Sequence, residues 1–222
     1  MLASINTMPC DALPAFSWPR PGHRNFSTTF PSRKNRKSVR CVTRLHADYC
    51  VHLEHDSRIE RYWAQPHVFS WMSGTSKYRY APHFLVANGD GSGCYCEVLA
   101  SFAGINASRG ETLLEFEALC GDRGWRFHRI EAATIHNKEF DTLHKLYLRS
   151  LDATTDEYTK CLKLLPGLVW PATIREVLLT VSAFALPALC RCLFFGQLKA
   201  DLSQALDLDL MIQGPVTSEA DN

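Results

Sequence analysis

Long apolar runs are missing from this sequence. No stretch reaches the roughly 18 consecutive apolar residues that a membrane-spanning helix needs. The strongest candidate, residues 177–195, is interrupted by Pro187 and carries Arg191. The first residues also lack a charged region followed by an apolar core. We therefore predict no secretory signal and no membrane partner.

Paired cysteine motifs are missing as well, although the chain has nine cysteines. No two of them are spaced as CxxC, and the closest couples are Cys94 with Cys96 and Cys190 with Cys192. We predict that Cys94 and Cys96 lie on opposite faces of a strand and are poor metal co-ligands. An odd count without a recognisable spacing favours reduced thiols in a cytoplasmic protein over a disulfide framework.

The net charge is small, +1 for 222 residues, so the total charge alone does not indicate what kind of partner the protein binds. The distribution of charge is uneven, because residues 20–44 contain eight basic residues and no acidic one. Such a run can neutralise DNA phosphates, and the alternative is a solvated basic face. We predict DNA contacts for six of these residues: Arg33, Lys34, Arg36, Lys37, Arg40 and Arg44.

The hydrophobic content of 46% is enough for one or two domains with a core. Residues 1–29 are proline-rich and predict a mobile arm. Apolar residues spaced by four predict a helix over Thr43–Glu54. A helix capped by Asn106 or Ser108, a strand at 124–130 and a helix at 134–148 follow further on. The order predicts an α/β fold, with a small mixed sheet flanked by helices.

The stretch Tyr78–Leu99 is predicted to organise this domain as a β-hairpin. Its turn signal is the Asn-Gly-Asp-Gly sequence at residues 88–91. The hairpin would present Tyr80, His83 and Glu97. A strand, a tight turn and a second strand with an acidic residue is an arrangement in which metal-dependent nucleases present their ligands.

The sequence beyond residue 150 predicts a second domain. Helices are predicted at 156–165, 173–180 and 187–195, and apolar residues alternate in places over 202–212. Three short helices followed by a strand pair predict a winged-helix-like domain at 150–212. Residues 213–222 are predicted to be a disordered tail.

Several short motifs occur in an order that resembles a known family. They are Pro31-Ser32-Arg33-Lys34, Leu53-Glu54-His55-Asp56, Tyr62-Trp63-Ala64-Gln65-Pro66, Tyr80-Ala81-Pro82-His83-Phe84, Cys96-Glu97-Val98-Leu99 and Phe195-Gly196-Gln197-Leu198. Together they resemble the TnsA-like endonuclease subunits of heteromeric (Tn7-like) transposases, in the PD-(D/E)xK nuclease superfamily. The resemblance implies a restriction-endonuclease-like domain at 30–149, followed by the winged-helix-like domain.

The resemblance places catalytic and metal-binding positions at His46, His83 and Glu97. The family has a helix glutamate, an aspartate after a proline and Glu-x-Lys, whose carboxylates hold Mg²⁺. Here His46 replaces the glutamate, His83 the aspartate and Leu99 the lysine, so only Glu97 is kept. Imidazole suits Zn²⁺ or Mn²⁺ better than Mg²⁺, and Leu99 cannot activate water. The resemblance therefore implies a degenerate site.

Several functions stay open at this point. One is a pseudonuclease without a cofactor that keeps a structural and DNA-binding role. A second is an altered site in which two histidines and Glu97 hold Mn²⁺ or Zn²⁺. A third is an active Mg²⁺- or Mn²⁺-dependent endonuclease that cuts the non-transferred strand, with missing groups supplied by Lys77, Glu60 or Arg109. A fourth is a DNA-binding adaptor outside transposition.

The partners follow from the resemblance. They are transposon-end DNA, a DDE-type transposase subunit and an AAA+ ATPase regulator. The resemblance also implies a place in the bacterial cytoplasm, associated with the nucleoid.

Overall fold

The computed structural model describes residues 12–14, 28–181 and 185–216. It has mixed α/β structure in two compact units that divide after Ile135. The strands are β1 (Ala12–Pro14), β2 (Thr28–Ser32), β3 (Lys37–Cys41), β4 (Ile59–Ala64), β5 (His67–Ser73), β6 (Ser76–Tyr80), β7 (Phe84–Asn88), β8 (Gly93–Leu99), β9 (Arg126–Glu131), β10 (Ala172–Thr173), β11 (Leu198–Ala200) and β12 (Met211–Pro215). The helices are α1 (Arg44–His55), α2 (Ala107–Asp122), α3 (Ala132–Ile135), α4 (Phe140–Ser150), α5 (Thr155–Leu164), α6 (Ile174–Val181) and α7 (Ala185–Phe194), with a 3-10 turn at Leu165–Gly167.

The first unit is built around a four-stranded mixed sheet in the order β4-β7-β8-β9. β9 runs parallel to β8, and the other neighbours are antiparallel. The α2 helix connects β8 to β9, as a parallel pair requires a long crossover. This confirms the predicted mixed sheet with flanking helices.

Each face of this sheet has its own core. On one face Leu85 and Tyr95 pack with Phe69 of β5 and Phe116 of α2, and the rings of Phe69 and Phe116 lie 5.1 Å apart. On the other face the α1 helix packs on the buried ring of Phe84. The side chain of Thr43 caps α1, confirming the predicted helix.

Only the second half of the predicted hairpin over Tyr78–Leu99 is confirmed. β7 and β8 pair around the Asn88–Ser92 turn. The predicted first strand, Tyr78–Val86, is wrong as one continuous strand, because it divides between β6 and β7, and β6 belongs to a different sheet, of order β1-β5-β6. Pro82 lies between β6 and β7. Because proline has no backbone N–H to donate to a neighbouring strand, it favours a break at this position.

The prediction for Cys94 and Cys96 is also wrong. Side chains in a strand alternate with a period of two, so residues two apart share a face. Both cysteines lie in β8, and their Sγ atoms are 3.7 Å apart.

The N-terminal segment is more ordered than predicted where it is described. Residues 12–14 form β1, which pairs with β5, and β2 already begins at Thr28. The rest of the predicted arm lies outside the described residues. The middle of the basic segment forms an antiparallel hairpin of β2 and β3, with a turn over residues 33–36.

The second unit contains α4 to α7 and a three-stranded sheet of order β10-β12-β11. The rings of Tyr147 in α4 and Phe194 in α7 lie 4.9 Å apart. The predicted helix at 134–148 is split, because the side chain of Asn137 accepts from the backbone of Glu139 and starts a turn. The division after Ile135 therefore groups α4 with the second unit, whereas the predicted boundary lies at residue 149.

The end of the chain also differs from its prediction. Residues 202–210 form turns, bends and irregular backbone, because the side chain of Asp201 accepts from the Ser203 backbone and that of Asp207 from the Asp209 backbone, each in an Asx turn. Residues 213–215, predicted as part of a tail, belong to β12 and pair with β11. Residues 217–222 lie outside the described residues. No helix within the described part combines the length and apolarity needed to cross a membrane.

Candidate functional site

The candidate site is centred on the carboxylate of Glu97. This residue lies near the end of β8, a central strand, and its side chain is fully buried. A carboxylate taken out of water needs charged or hydrogen-bonding partners to stay in place. The identity of these partners therefore determines what the site can do.

Two side chains hold the Glu97 carboxylate. Arg109 donates from Nη2 to Oε1 at 2.6 Å and forms an ion pair. The Tyr80 hydroxyl donates to Oε2 at 2.6 Å. Burial, and then the charge of Glu97, raises the pKa of Tyr80 well above its ordinary value, so the phenol keeps its proton and remains a donor.

The fold brings these partners in from different elements. Tyr80 is the last residue of β6, and Arg109 lies in the first turn of α2. The Asn106 side chain caps that helix by accepting from the Arg109 backbone N–H at 2.8 Å. The same cap that starts α2 therefore fixes the backbone from which the guanidinium reaches Glu97.

Two histidines complete the cluster. His83 lies directly before β7, and its Nδ1 accepts from the Val98 backbone N–H at 3.1 Å. The same Nδ1 lies 3.2 Å from Glu97 Oε2. His46 of α1 places its ring 4.3 Å from the ring of His83. The structure thus brings together all three residues that the resemblance singled out.

Both imidazoles are neutral near pH 7. The pKa of His46 is lowered to about 4, chiefly by burial and next by the neighbouring His83. Burial also lowers the pKa of His83 to about 4, with the positive charge of Arg109 as the second cause. The close approach of His83 to Glu97 is consequently not an ion pair at that pH.

The donor set does not fit Mg²⁺. Both oxygens of Glu97 are engaged by protein donors, and Nδ1 of His83 is engaged by Val98. Hard divalent ions need several oxygen ligands, and Glu97 is the one carboxylate of the three predicted ligands. Across the described ranges no group of three or more His, Cys, Asp or Glu side chains is arranged to hold a metal ion.

Of the three residues considered as substitutes for missing groups, Arg109 reaches Glu97. Glu60 and Lys77 are exposed side chains on β4 and β6. Leu99, at the position of the family's lysine, is half-buried at the end of β8.

A sequence signal for Arg109 existed. A cation in the first turn of a helix is disfavoured by the helix dipole, which indicates a nearby anion that repays it. Tyr80 lies in the predicted hairpin, but its role as a donor to Glu97 was not predicted.

A second buried carboxylate, Glu54, lies at the other end of α1. It accepts from Ser32 Oγ at 2.5 Å, Tyr62 Oη at 2.8 Å and the Lys34 backbone N–H at 3.3 Å. Asn35 exchanges two hydrogen bonds with the backbone of Tyr62. These contacts fix the turn of the β2–β3 hairpin onto α1 and β4.

The six residues predicted to contact DNA differ in how far their side chains reach solvent. Arg36, Lys37 and Arg44 are exposed. The Lys34 ammonium instead donates to the Asp56 carbonyl, and burial lowers its pKa despite the nearby Glu54 and Asp56. Arg33 and Arg40 are half-buried. Half of the predicted set therefore presents its charge to solvent.

Comparison with known proteins gives no family: no protein-family model matches the chain, and no curated protein matches it.

Proposed function

We propose that the protein binds DNA through the β2–β3 hairpin and that its nuclease-like site does not cleave. It would be a TnsA-like pseudonuclease subunit of a heteromeric transposase. It would act at transposon ends beside a DDE-type transposase and an AAA+ regulator, in the bacterial cytoplasm at the nucleoid. The observation that supports this proposal most is that Arg109 and Tyr80 donate hydrogen bonds to both oxygens of the Glu97 carboxylate.

The capture of Glu97 replaces the charge that a metal would supply. A guanidinium 2.6 Å from the carboxylate already neutralises it, and it is attached to the helix that Asn106 caps. Unlike a divalent ion, this cation cannot lower the pKa of a bound water. The neutral histidines and Leu99 add no charge that stabilises a developing phosphorane, usually a large part of catalysis.

The DNA-binding half of the proposal is supported by the hairpin. Arg36 and Lys37 lie at its exposed turn, and Arg44 starts α1 nearby in sequence. The Glu54 network holds this turn in place. Cations on a fixed backbone lose little conformational freedom on binding, which favours phosphate contact.

A non-cleaving subunit has a consequence for transposition. The partner transposase would still join the transferred strand, while the non-transferred strand would stay uncut. The product of such a reaction is a cointegrate instead of a simple insertion.

The test combines binding and cleavage. Fluorescence anisotropy with transposon-end DNA is measured over a range of salt for the wild type and an Arg36→Glu/Lys37→Glu variant. We expect the variant to lose about tenfold or more in affinity and to show a shallower salt dependence. Lys145→Glu/Lys163→Glu, two charge reversals at exposed residues of α4 and α5, is the matched control and should bind as the wild type does.

Cleavage is assayed on the same DNA with Mg²⁺ and with Mn²⁺. We expect no strand cutting by the wild type above that of Glu97→Ala. Cutting that depends on Glu97 would overturn the pseudonuclease and establish the endonuclease. Equal binding to end DNA and unrelated DNA would favour an adaptor outside transposition.

A further inference from the structure

A cavity of about 680 Å³ lies beside the β7–β8 turn, in the first unit. Tyr49, Cys94, Cys96, Arg126 and His128 are among the side chains that line it. Successive side chains of a strand point to opposite faces. Cys94 and Cys96 therefore lie on the face opposite the neighbouring Glu97, and the cavity is separate from the candidate site.

Contact between thiols is not what distinguishes Cys94. Two other couples, Cys41 with Cys50 and Cys161 with Cys192, have Sγ atoms 3.7 Å and 3.8 Å apart, much like the 3.7 Å of Cys94 and Cys96. All four of those residues are buried. Among the eight cysteines in the described residues, Cys94 alone is part-exposed.

A donor chain ends on the Cys94 sulfur. The Tyr49 hydroxyl donates to Cys96 Sγ at 3.6 Å. Since the Cys96 sulfur is then an acceptor, its own S–H group is available to Cys94. Such a donor stabilises a thiolate, which is the reactive form of cysteine.

Charge at the cavity adds to this effect. Cys94 and Arg126 are direct neighbours in the parallel register of β8 and β9. The hydrogen bond from Cys96 lowers the pKa of Cys94, burial opposes the change, and the charge of Arg126 lowers it further. The other titratable groups lining the cavity are Tyr49, Asp56, Arg58, Asp90 and His128, and Arg58 is paired with Asp56 at 2.7 Å.

We propose that Cys94 is a site of reversible modification by low-molecular-weight disulfides, with Arg126 and Cys96 as positioning residues. The Cys94 thiol releases its proton to solvent, and the thiolate attacks one sulfur of the disulfide. A bond forms between Cys94 Sγ and that sulfur, the disulfide's own S–S bond breaks, and the second sulfur leaves as a thiolate that takes a proton from water. One thiol is oxidised to a mixed disulfide and one half of the reagent is reduced to a thiol.

The test uses the full chain with oxidised glutathione as the probe. Cys10, which lies outside the described residues, is replaced by serine in all variants. Peptide mapping by mass spectrometry follows the modification of each remaining cysteine with time. We expect Cys94 to react at least about tenfold faster than any other, because the others are buried. Cys96→Ser settles which of the two nearby sulfurs carries the adduct, and Cys41→Ser serves as a control that keeps the fast reaction.

The pH dependence of the rate tests the positioning residues. Arg126→Gln should move the midpoint of the rate–pH profile for Cys94 upward and slow the reaction several-fold at pH 7, whereas Arg129→Gln on the same strand should not. A loss of structure alone would speed the labelling of buried cysteines instead. Equal rates at Cys94 and at a buried cysteine, or a profile unchanged in Arg126→Gln, would overturn the proposal.

Discussion

Two buried glutamates of the first unit, Glu54 and Glu97, have one type of hydrogen-bond donor in common and differ in the others. Both are fully buried, and each accepts from a tyrosine hydroxyl. The further partners of Glu54 are a serine hydroxyl and a backbone N–H. The further partner of Glu97 is the guanidinium of Arg109, whose side chain is 44% exposed.

Glu54 is a structural anchor for a turn, whereas Glu97 belongs to a candidate functional site. The Ser32 and Tyr62 side chains that bind Glu54 are themselves buried, so the network fixes one turn and offers nothing to a ligand. At Glu97 the charged partner reaches solvent, and two neutral histidines stand beside it. Burial of a carboxylate therefore does not identify a site, whereas the exposure and charge of its partners do.

The largest expected effect is at the anchor. Glu54→Ala leaves the donors of Ser32, Tyr62 and Lys34 without their acceptor in a buried place. We expect the free energy of unfolding to fall by about 3–4 kcal/mol. Urea denaturation followed by circular dichroism measures it.

Glu54→Gln is the paired variant, because it keeps an acceptor oxygen. We expect it to recover part of the loss. If Glu54→Ala is as stable as the wild type, the contrast between anchor and site fails.

The next effect is the pH dependence of stability at the site. His46 and His83 have pKa values of about 4 in the fold, below the ordinary 6.5. Between these values the unfolded chain binds more protons than the folded chain, so stability rises with pH. As the pH falls from about 6.5 to about 5.5, we expect the two histidines together to remove about 2 kcal/mol.

His46→Phe removes the contribution of one of the two histidines. We compare the variant with the wild type by urea denaturation at pH 7 and at pH 4.5. The comparison cancels the contribution of carboxylates that titrate in the same range, because both proteins contain them. The variant should lose less stability on acidification. Parallel curves for the two proteins would show that His46 is not held neutral by burial.

The smallest effect concerns the ion pair at Glu97. Arg109→Met leaves the buried carboxylate with the Tyr80 hydroxyl, and we expect a loss of about 1.5 kcal/mol. Arg129→Met is the matched control, since it removes an exposed pair with Glu117 and should change stability by less than about 0.5 kcal/mol. Equal effects of the two variants would mean that Glu97 does not depend on Arg109. Thermal denaturation of both at pH 7 is sufficient.

Sequence patterns predicted the elements whose signals are local. Asn106 caps α2 where a capping residue was expected, and α1 begins at Arg44, within one residue of its predicted start. The turn before β8 also formed at its Asn-Gly signal. Each depends on a few neighbouring residues.

The errors arose where distant pairing decides the structure. Nothing near Tyr78 indicates that its strand pairs with β5 and not with β8. Apolar alternation over 202–212 was outweighed by the side-chain hydrogen bonds of Asp201.

The candidate site was partly within reach of sequence reasoning. His46, His83 and Glu97 were identified from motif order, and the structure places His83 against both His46 and Glu97. The hydrogen bond from Tyr80 was not predictable, because it joins residues of two separate sheets. Arg109 was one of three candidates; its place in the first turn of a predicted helix was a sequence signal, and the fold shows that it reaches Glu97.

The short connection from β6 to β7 links two sheets. Tyr80 ends one sheet and its hydroxyl holds Glu97 in the other, while the Gln65 backbone N–H donates to the carbonyl of His83 at 2.8 Å. A slip of one residue in the β5–β6 register would turn Tyr80 to the opposite face. The register of the β5–β6 hairpin therefore determines whether the Tyr80 hydroxyl reaches the Glu97 carboxylate, although Glu97 lies in another sheet.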